Sequence, residues 1–486
     1  MNRLMGLLGP SLILWLCAVA SATVLHVPGQ YPTIQAGIDA AGEGDTVLVA
    51  DGTYTGTGNR DIDFLGKAIV VMSENGPEVT IIDCQGTHED PHRGFYFTHG
   101  EGPNSVVQGF TIRGGYAYGE SSQGSGGAII CWNSSPTIVG NSITGNRAEL
   151  GGGGIFCYES SPQIVANRIA ENVLGTYGGG GGICLNYLCA PTIRGNTITG
   201  NGAFGGGGIH CGMYCSPDIA ANTIAANAAR RHGGGISCWV GSLATIMGNT
   251  ISRNAGGLYG GGIYCYYCSA ILMNSVLWAD SAISGLEIYL DDYSGSASSI
   301  TVEFSDVEGG SSAVYVGLNC NLYWGEGNLD DDPMFVLPNS GDYRLLWGSP
   351  CIDAGHPDSL DPDGTRSDMG ARFFDQDDYM TLYLTPDTME VSPGEVLGVT
   401  YTVINRWAQP EPFWVLTEAT LPNGTPFRVM GPDQYALPAN HTEQRHLNHI
   451  VPGLAPFGMY GYGSRIGVPP STLYDDDSFA FIVVGP

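Results

Sequence analysis

Three groups of side chains in this chain have the types and spacing to do chemistry. The first is aromatic. Trp132, Tyr158, Trp239 and Tyr266 each follow a recurring cysteine, and Phe156 and Tyr264 each precede one. Flat rings set in a row stack on the apolar faces of sugars, so the chemistry would be non-covalent capture of a long glycan. The plainer alternative is that these rings shield a sheet. The second group is cationic: Arg230, Arg231 and His232, with His210 upstream. In a chain poor in positive charge, these would hold the carboxylate of an acidic sugar in two-point contacts. The third is acidic. Asp361, Asp363 and Asp368 lie around a glycine turn, where hard oxygen ligands would surround a structural calcium. His446 and His449 are weaker, since on a strand their imidazoles point apart.

The elements that position these residues follow from a period. Cys131, Cys157, Cys184, Cys211, Cys238 and Cys265 recur every 26 or 27 residues. Around them runs a template of glycines, Ile-x-Cys, a short turn, Pro-x-Ile, then Asn-x-Ile and a second Asn. A fixed period of this size marks a solenoid. Ile155 and Cys157 lie two apart and share one face of a strand, while Phe156 takes the other. Pro162-x-Ile164 and Asn167-x-Ile169 give two more short strands. Three strands per repeat predict an all-β fold, a parallel β-helix with Ile and Cys stacked inside. Asn141, Asn167, Asn196, Asn222, Asn249 and Asn274 would mark one corner of successive coils. Asn146, Asn172, Asn201, Asn227 and Asn254 would mark the next, each amide bonding its own turn and the next rung.

Cys189, Cys215 and Cys268 form a second set at the turn, where Ser134, Ser160 and Ser242 stand in other coils. Turn disulfides such as Cys184–Cys189 would strain the bond. Links such as Cys189–Cys215 or Cys320–Cys351 stay open as alternatives. The main series reads as buried free thiols, and in-register stacking offers no tetrahedral cage for a metal.

The bulk numbers narrow the function. Basic residues number 18 and acidic ones 47, for a net charge of −29. Such a surface repels phosphate backbones and anionic headgroups, which argues against nucleic acid and membrane surfaces as partners. Residues 1–22 read as an export signal: Arg3, the apolar stretch Leu12 to Val19, and the small residues Ala20, Ser21 and Ala22. No later segment is long and apolar enough to span a bilayer. The expected location is therefore extracellular or at the cell surface.

The segment from Val27 to Ala41, followed by Gly44-Asp-Thr-Val-Leu-Val-Ala-Asp-Gly-Thr-Tyr54, resembles the opening of secreted bacterial right-handed parallel β-helix proteins of pectate-lyase-like fold. Within it Ile34, Ile38 and Ala41 form one face of a short helix that would cover the first coil. The run from 275 to 372, with Asp330-Asp-Asp-Pro-Met-Phe335 and Gly348-Ser-Pro-Cys-Ile-Asp-Ala-Gly355, resembles the terminal module of choice-of-anchor Q type. The expected organisation is signal 1–22, β-helix 23–372 and an Ig-like β-sandwich over 376–486, where short alternating runs are separated by Pro, Gly and Asn turns.

The resemblance is specific for fold and not for activity; the aromatic row suggests the polysaccharide partner, and polysaccharide lyases of this fold commonly carry an Arg or Lys base beside a calcium cluster. This chain departs from that pattern. Its repeats carry no row of Asp and no Lys, and Glu149, Glu159 and Glu171 are scattered among turns rather than paired for glycoside hydrolysis. The expectation is a polysaccharide-binding β-helix without catalysis. A lyase or hydrolase using His210, Arg230, Arg231 and His232 is the second reading, and a purely adhesive surface protein the third.

Overall fold

The structure, a computed structural model, describes residues 22–485 apart from 176, 293–296, 378 and 471. The expected export signal, save Ala22, lies outside the described residues. Three long parallel sheets build a right-handed solenoid of about 10 turns. The first has twelve strands, from Val24–Val27 to Asn321–Trp324. The second has ten, from Gly52–Tyr54 to Asp306–Val307, and the third has ten, from Ile62–Asp63 to Tyr315–Val316. Each strand pairs in register with its equivalent one coil on. Ile138, Ile164 and Ile193 align in the first sheet, Ile143, Ile169 and Ile198 in the second, and Ile129, Ile155 and Ile183 in the third. All nine are fully buried, and burial of each contributes roughly 2 kcal/mol. A fourth sheet of six short strands, Tyr116–Ala117 to Ala255–Gly256, runs beside the glycine segments. Several of its strands are two residues long, too short to leave a periodic signal.

The corners share one device. A residue in the left-handed region turns the chain, and the next side chain folds inward. Gly140, Ala166, Gly195, Ala221 and Gly248 have φ between 53° and 64° and precede Asn141, Asn167, Asn196, Asn222 and Asn249. Asn141 Oδ1 accepts from Phe110 N, and from Asn167 to Asn249 each oxygen accepts from the backbone N–H of the asparagine one coil earlier. Asn167 N donates to Asn196 Oδ1 at 2.9 Å, and Asn196 N to Asn222 Oδ1 at 2.9 Å. The amide nitrogen donates to a strand carbonyl, as Asn196 Nδ2 does to Ile164 O at 2.8 Å, and to the next amide. The second corner repeats the pattern from Asn146 to Asn254 and ends on Asp280, whose Oδ1 accepts from Asn254 N at 2.6 Å. Asp280 lies against Glu287, and burial raises its carboxyl above the usual carboxylate range. The third corner uses hydroxyls and thiols. Asn133, Glu159, Leu188, Tyr214 and Tyr267, at φ between 47° and 56°, precede Ser134, Ser160, Cys189, Cys215 and Cys268. Ser134 N donates to Ser160 Oγ at 3.1 Å, and Cys189 Sγ donates to Tyr187 O at 3.2 Å. The second cysteine set thus stands where serine stands elsewhere, with its thiol inside the turn.

Two placements read from the period are corrected. Cys184 is not in the inner series: Leu185 pairs with Cys157 and Cys211, while Cys184 pairs with Phe156 and His210 on the outer side. That coil is longer, so counting 27 residues from Cys157 lands one position short. Asn274 is not in the first asparagine row. It takes the left-handed position itself (φ 50°), and Ser275 Oγ accepts from Asn249 N at 3.1 Å in its place. Asn274 instead holds the closing segment, accepting from His356 N at 2.7 Å.

The solenoid's first coil is covered by the helix Ile34–Ala40, capped by Thr33 Oγ1 and burying Ile34 and Ile38. From Met380 on, the strands pair antiparallel except Glu390–Val391, which runs parallel to Thr472–Val483. Three strands, Met380–Pro386, Val396–Asn405 and His441–Ile450, face five others around Leu382, Val399, Tyr401, Phe413, Tyr462 and Phe481, an arrangement consistent with a sandwich. Arg344 clamps the two parts together. Its guanidinium bonds Asp342 Oδ2 at 2.7 Å, Asp477 Oδ2 at 2.6 Å and Leu384 O at 3.0 Å, and it lies over the Tyr383 ring.

Replacing Asn196 with alanine removes an acceptor from Asn167 N and a donor from Ile164 O inside the wall. The expected loss is about 3 kcal/mol in denaturant unfolding. Asn75→Ala, at an exposed amide, should lose less than about 0.5 kcal/mol.

Candidate functional site

The outer face of the third sheet gathers most of the residues singled out from the sequence. Adjacent parallel strands lie about 4.8 Å apart, close to the stacking distance of aromatic rings. Rings at equivalent positions therefore stack on one another along the solenoid. Trp132 and Tyr158, at equivalent positions, lie 4.2 Å apart at 13°, and Tyr187, one residue beyond the equivalent position, lies 5.7 Å from Tyr158 at 29°. Tyr214 ends this row edge-on to Tyr187, with its ring packed over Gly241 and the residue 52% exposed. Trp132, Tyr158, Trp239 and Tyr266 are half-buried.

Two of the six expected sugar-contacting rings are covered. Phe156 and Tyr264 are only 5% and 4% exposed. Phe156 packs with Ile130 and Cys184 against the loop at Gly151, and Tyr264 lies beneath His232, stacked at 4.7 Å and 17°. The turns that follow the fourth sheet fold over this position, so the outer side of the strand becomes a second, smaller core. The face-to-face stacking also changes what the exposed rings offer. Between Trp132 and Tyr158 the facing ring surfaces are taken up by each other. Tyr187 was missed because its coil was aligned on Cys184, and Tyr214 because it stands at the left-handed turn before Cys215 and not directly after a recurring cysteine. Alignment on Ile183 places Tyr187 beside the row.

The cationic group separates. Arg230 and Arg231 are exposed, whereas His232 is buried. Burial, with Arg231 nearby, pushes His232 down to about 4, and burial with His232 nearby pushes His210 down to about 4. Both imidazoles are neutral at pH 7. His210 Nδ1 lies 2.7 Å from Ser237 Oγ, and both rings flank Trp239, at 5.9 Å and 5.2 Å. The patch is thus two arginines on one side and two aromatic-packed histidines on the other. Two polar atoms here, His232 Nδ1 and Trp239 Nε1, are buried with no hydrogen-bond partner among the described residues.

The acidic turn is committed to its own backbone. Asp361 Oδ2 accepts from Asp368 N, Asp363 Oδ1 from Thr365, and Asp368 from Asp353 N and Phe374 N. Burial pushes Asp368 up to about 7. Among the described residues these three carboxylates are not a group whose oxygens converge on one point. His446 and His449 face opposite sides of their strand. His446 lies 3.5 Å from Asp387, while His449 packs on Tyr462.

With this geometry in place, the chain can be set beside known proteins. Residues 45–224 match the family model for the right handed beta helix region, which covers less than half of the chain. No curated protein matches. Among solved structures, the alkylpurine DNA glycosylase AlkC of Pseudomonas fluorescens, bound to DNA containing an abasic-site analogue, is similar at 13% identity and a TM-score of 0.18. That match covers 22% of this chain and 31% of the other, so this chain spans under a third of that structure's length. So low a score carries no argument about fold or function.

All twelve described cysteines are free thiols, and eleven are buried. A thiol reagent applied to the native chain should therefore modify about one of them quickly, Cys320, and Cys320→Ser should abolish that fast phase. The other described thiols should react only after denaturation.

Proposed function

We propose that the chain is an exported β-helix protein that binds an extracellular or cell-surface polysaccharide along the outer face of the third sheet, without cleaving it. The observation that carries this reading is the row Trp132, Tyr158, Tyr187 and Tyr214, an aromatic strip crossing four coils of an otherwise acidic surface. A soluble protein rarely leaves so continuous an apolar strip in solvent without a use for it. Tyr214 is the most exposed ring of the row, at 52%. The neutral, packed state of His210 and His232 favours binding over acid–base chemistry. On this reading the antiparallel sheets after Met380 form an Ig-like domain held to the solenoid by Arg344.

Affinity electrophoresis through gels containing soluble polysaccharides tests the proposal. At least one glycan should retard the chain without being depolymerised. Tyr214→Ala should weaken that retardation roughly tenfold, the scale of one lost ring contact of about 1.4 kcal/mol. Retardation by no glycan, or full retention by the Tyr214→Ala variant, would overturn it. Shortening of the polymer would instead favour the enzyme reading.

A further inference from the structure

A different cluster, far from the aromatic row in sequence, has the geometry of a metal site. Asp63 ends the strand Ile62–Asp63, and His99 and Glu101 lie on the turn after Phe95–Phe97, one coil later. Among the described residues they are the one group of three His, Cys, Asp or Glu side chains whose ligating atoms all lie within 4.8 Å of one another.

Each ligand is held from behind. The backbone of Asp63 is fixed on both sides by the capping helix: Asp63 N donates to Gln35 Oε1 at 2.9 Å, and Gln35 Nε2 donates to Asp63 O at 3.0 Å. Leu65 N donates to Asp63 Oδ1 at 2.8 Å. Glu101 is buried, and its Oε2 accepts from His99 N and from Ser134 Oγ, both at 2.9 Å. Its Oε1 accepts only from Gly66 N, at 2.9 Å. A carboxylate oxygen has about two lone pairs, so Oε1 keeps one free, and Asp63 Oδ2 takes no hydrogen bond among the described residues. His99 Nδ1 points at this gap, 3.3 Å from Asp63 Oδ1 and 3.3 Å from Thr98 Oγ1. The ring is 52% exposed, which leaves an approach from solvent.

We propose that Asp63, His99 and Glu101 bind one divalent transition-metal ion of the zinc type. The donor set decides the class. An imidazole nitrogen with two carboxylates suits borderline ions, whereas calcium and magnesium take oxygen donors. Three protein ligands leave a fourth tetrahedral position for water. The supporting bonds from Gly66, Leu65, Gln35 and Ser134 are the outer shell that keeps ligands in place. The ion would tie the first coil to the second beneath the capping helix. The competing use of the same residues is an Asp63–His99 ion pair with Glu101 as a turn cap, which needs no metal.

Isothermal titration of the metal-stripped full chain with zinc chloride separates the two. One equivalent should bind at micromolar concentrations, and His99→Gln and Asp63→Asn should each weaken it at least tenfold. Both residues lie toward the surface, and an unchanged circular dichroism spectrum would confirm folding. Cobalt added to the native chain should give the intense visible bands of a tetrahedral ion, independently of any variant. No binding by the native chain, or equal binding by His99→Gln, would overturn the proposal. So would calcium binding as tight as zinc.

Discussion

The side-chain amide buried at two of the three corners is the interaction on which the rest of the structure depends. A coil of short strands must turn tightly and still satisfy every backbone group, because the turn is stacked between two others and water cannot reach it. The left-handed residue before each corner, Ala166 or Gly195 for example, makes the bend. For a non-glycine residue that conformation costs about 1–2 kcal/mol. The asparagine that follows offsets this cost by bonding three groups that would otherwise be buried unpaired, each worth about 1–3 kcal/mol. Serine and cysteine serve the same end at the third corner, where a smaller group reaches fewer partners.

Regular corners impose regular spacing, and the spacing decides what the surface can do. Coils stacked at the separation of parallel strands bring equivalent side chains to ring-stacking distance. Aromatic residues on the third sheet therefore pack against each other before they meet any ligand. Trp132 and Tyr158 show the result: their facing surfaces are given to each other. At the left-handed turn position Tyr214 departs from this stacking, lying edge-on to Tyr187 and against Gly241. The same stacking buries His232 under its neighbours and keeps it neutral.

Much of this was legible in the sequence, and the parts that were not share a cause. The isoleucine, cysteine and asparagine intervals defined the solenoid, because each reports a side chain that must point inward once per coil. What a period cannot report is a local change in coil length. Cys184 keeps the count of 27 yet faces outward, and Asn274 keeps the residue type yet sits one position early. The direction of Phe156 was read correctly as outward, but outward did not mean exposed, since the covering turn comes from a glycine segment without a pattern of its own. Asp63, His99 and Glu101 were invisible for another reason. They stand 36 and 38 residues apart in an irregular early coil, and only the stacking of the two coils brings them together.

The claim that buried corner amides hold the coils together has a direct test in native-state hydrogen exchange at residue resolution. The backbone N–H groups of Asn167, Asn196 and Asn222 sit in turns, where exchange is ordinarily fast, yet each donates to a buried asparagine oxygen. They are expected to exchange as slowly as the strand amides of Ile164 and Ile193. Exchange as fast as that of the exposed turn at Asn423 and Gly424 would contradict the account.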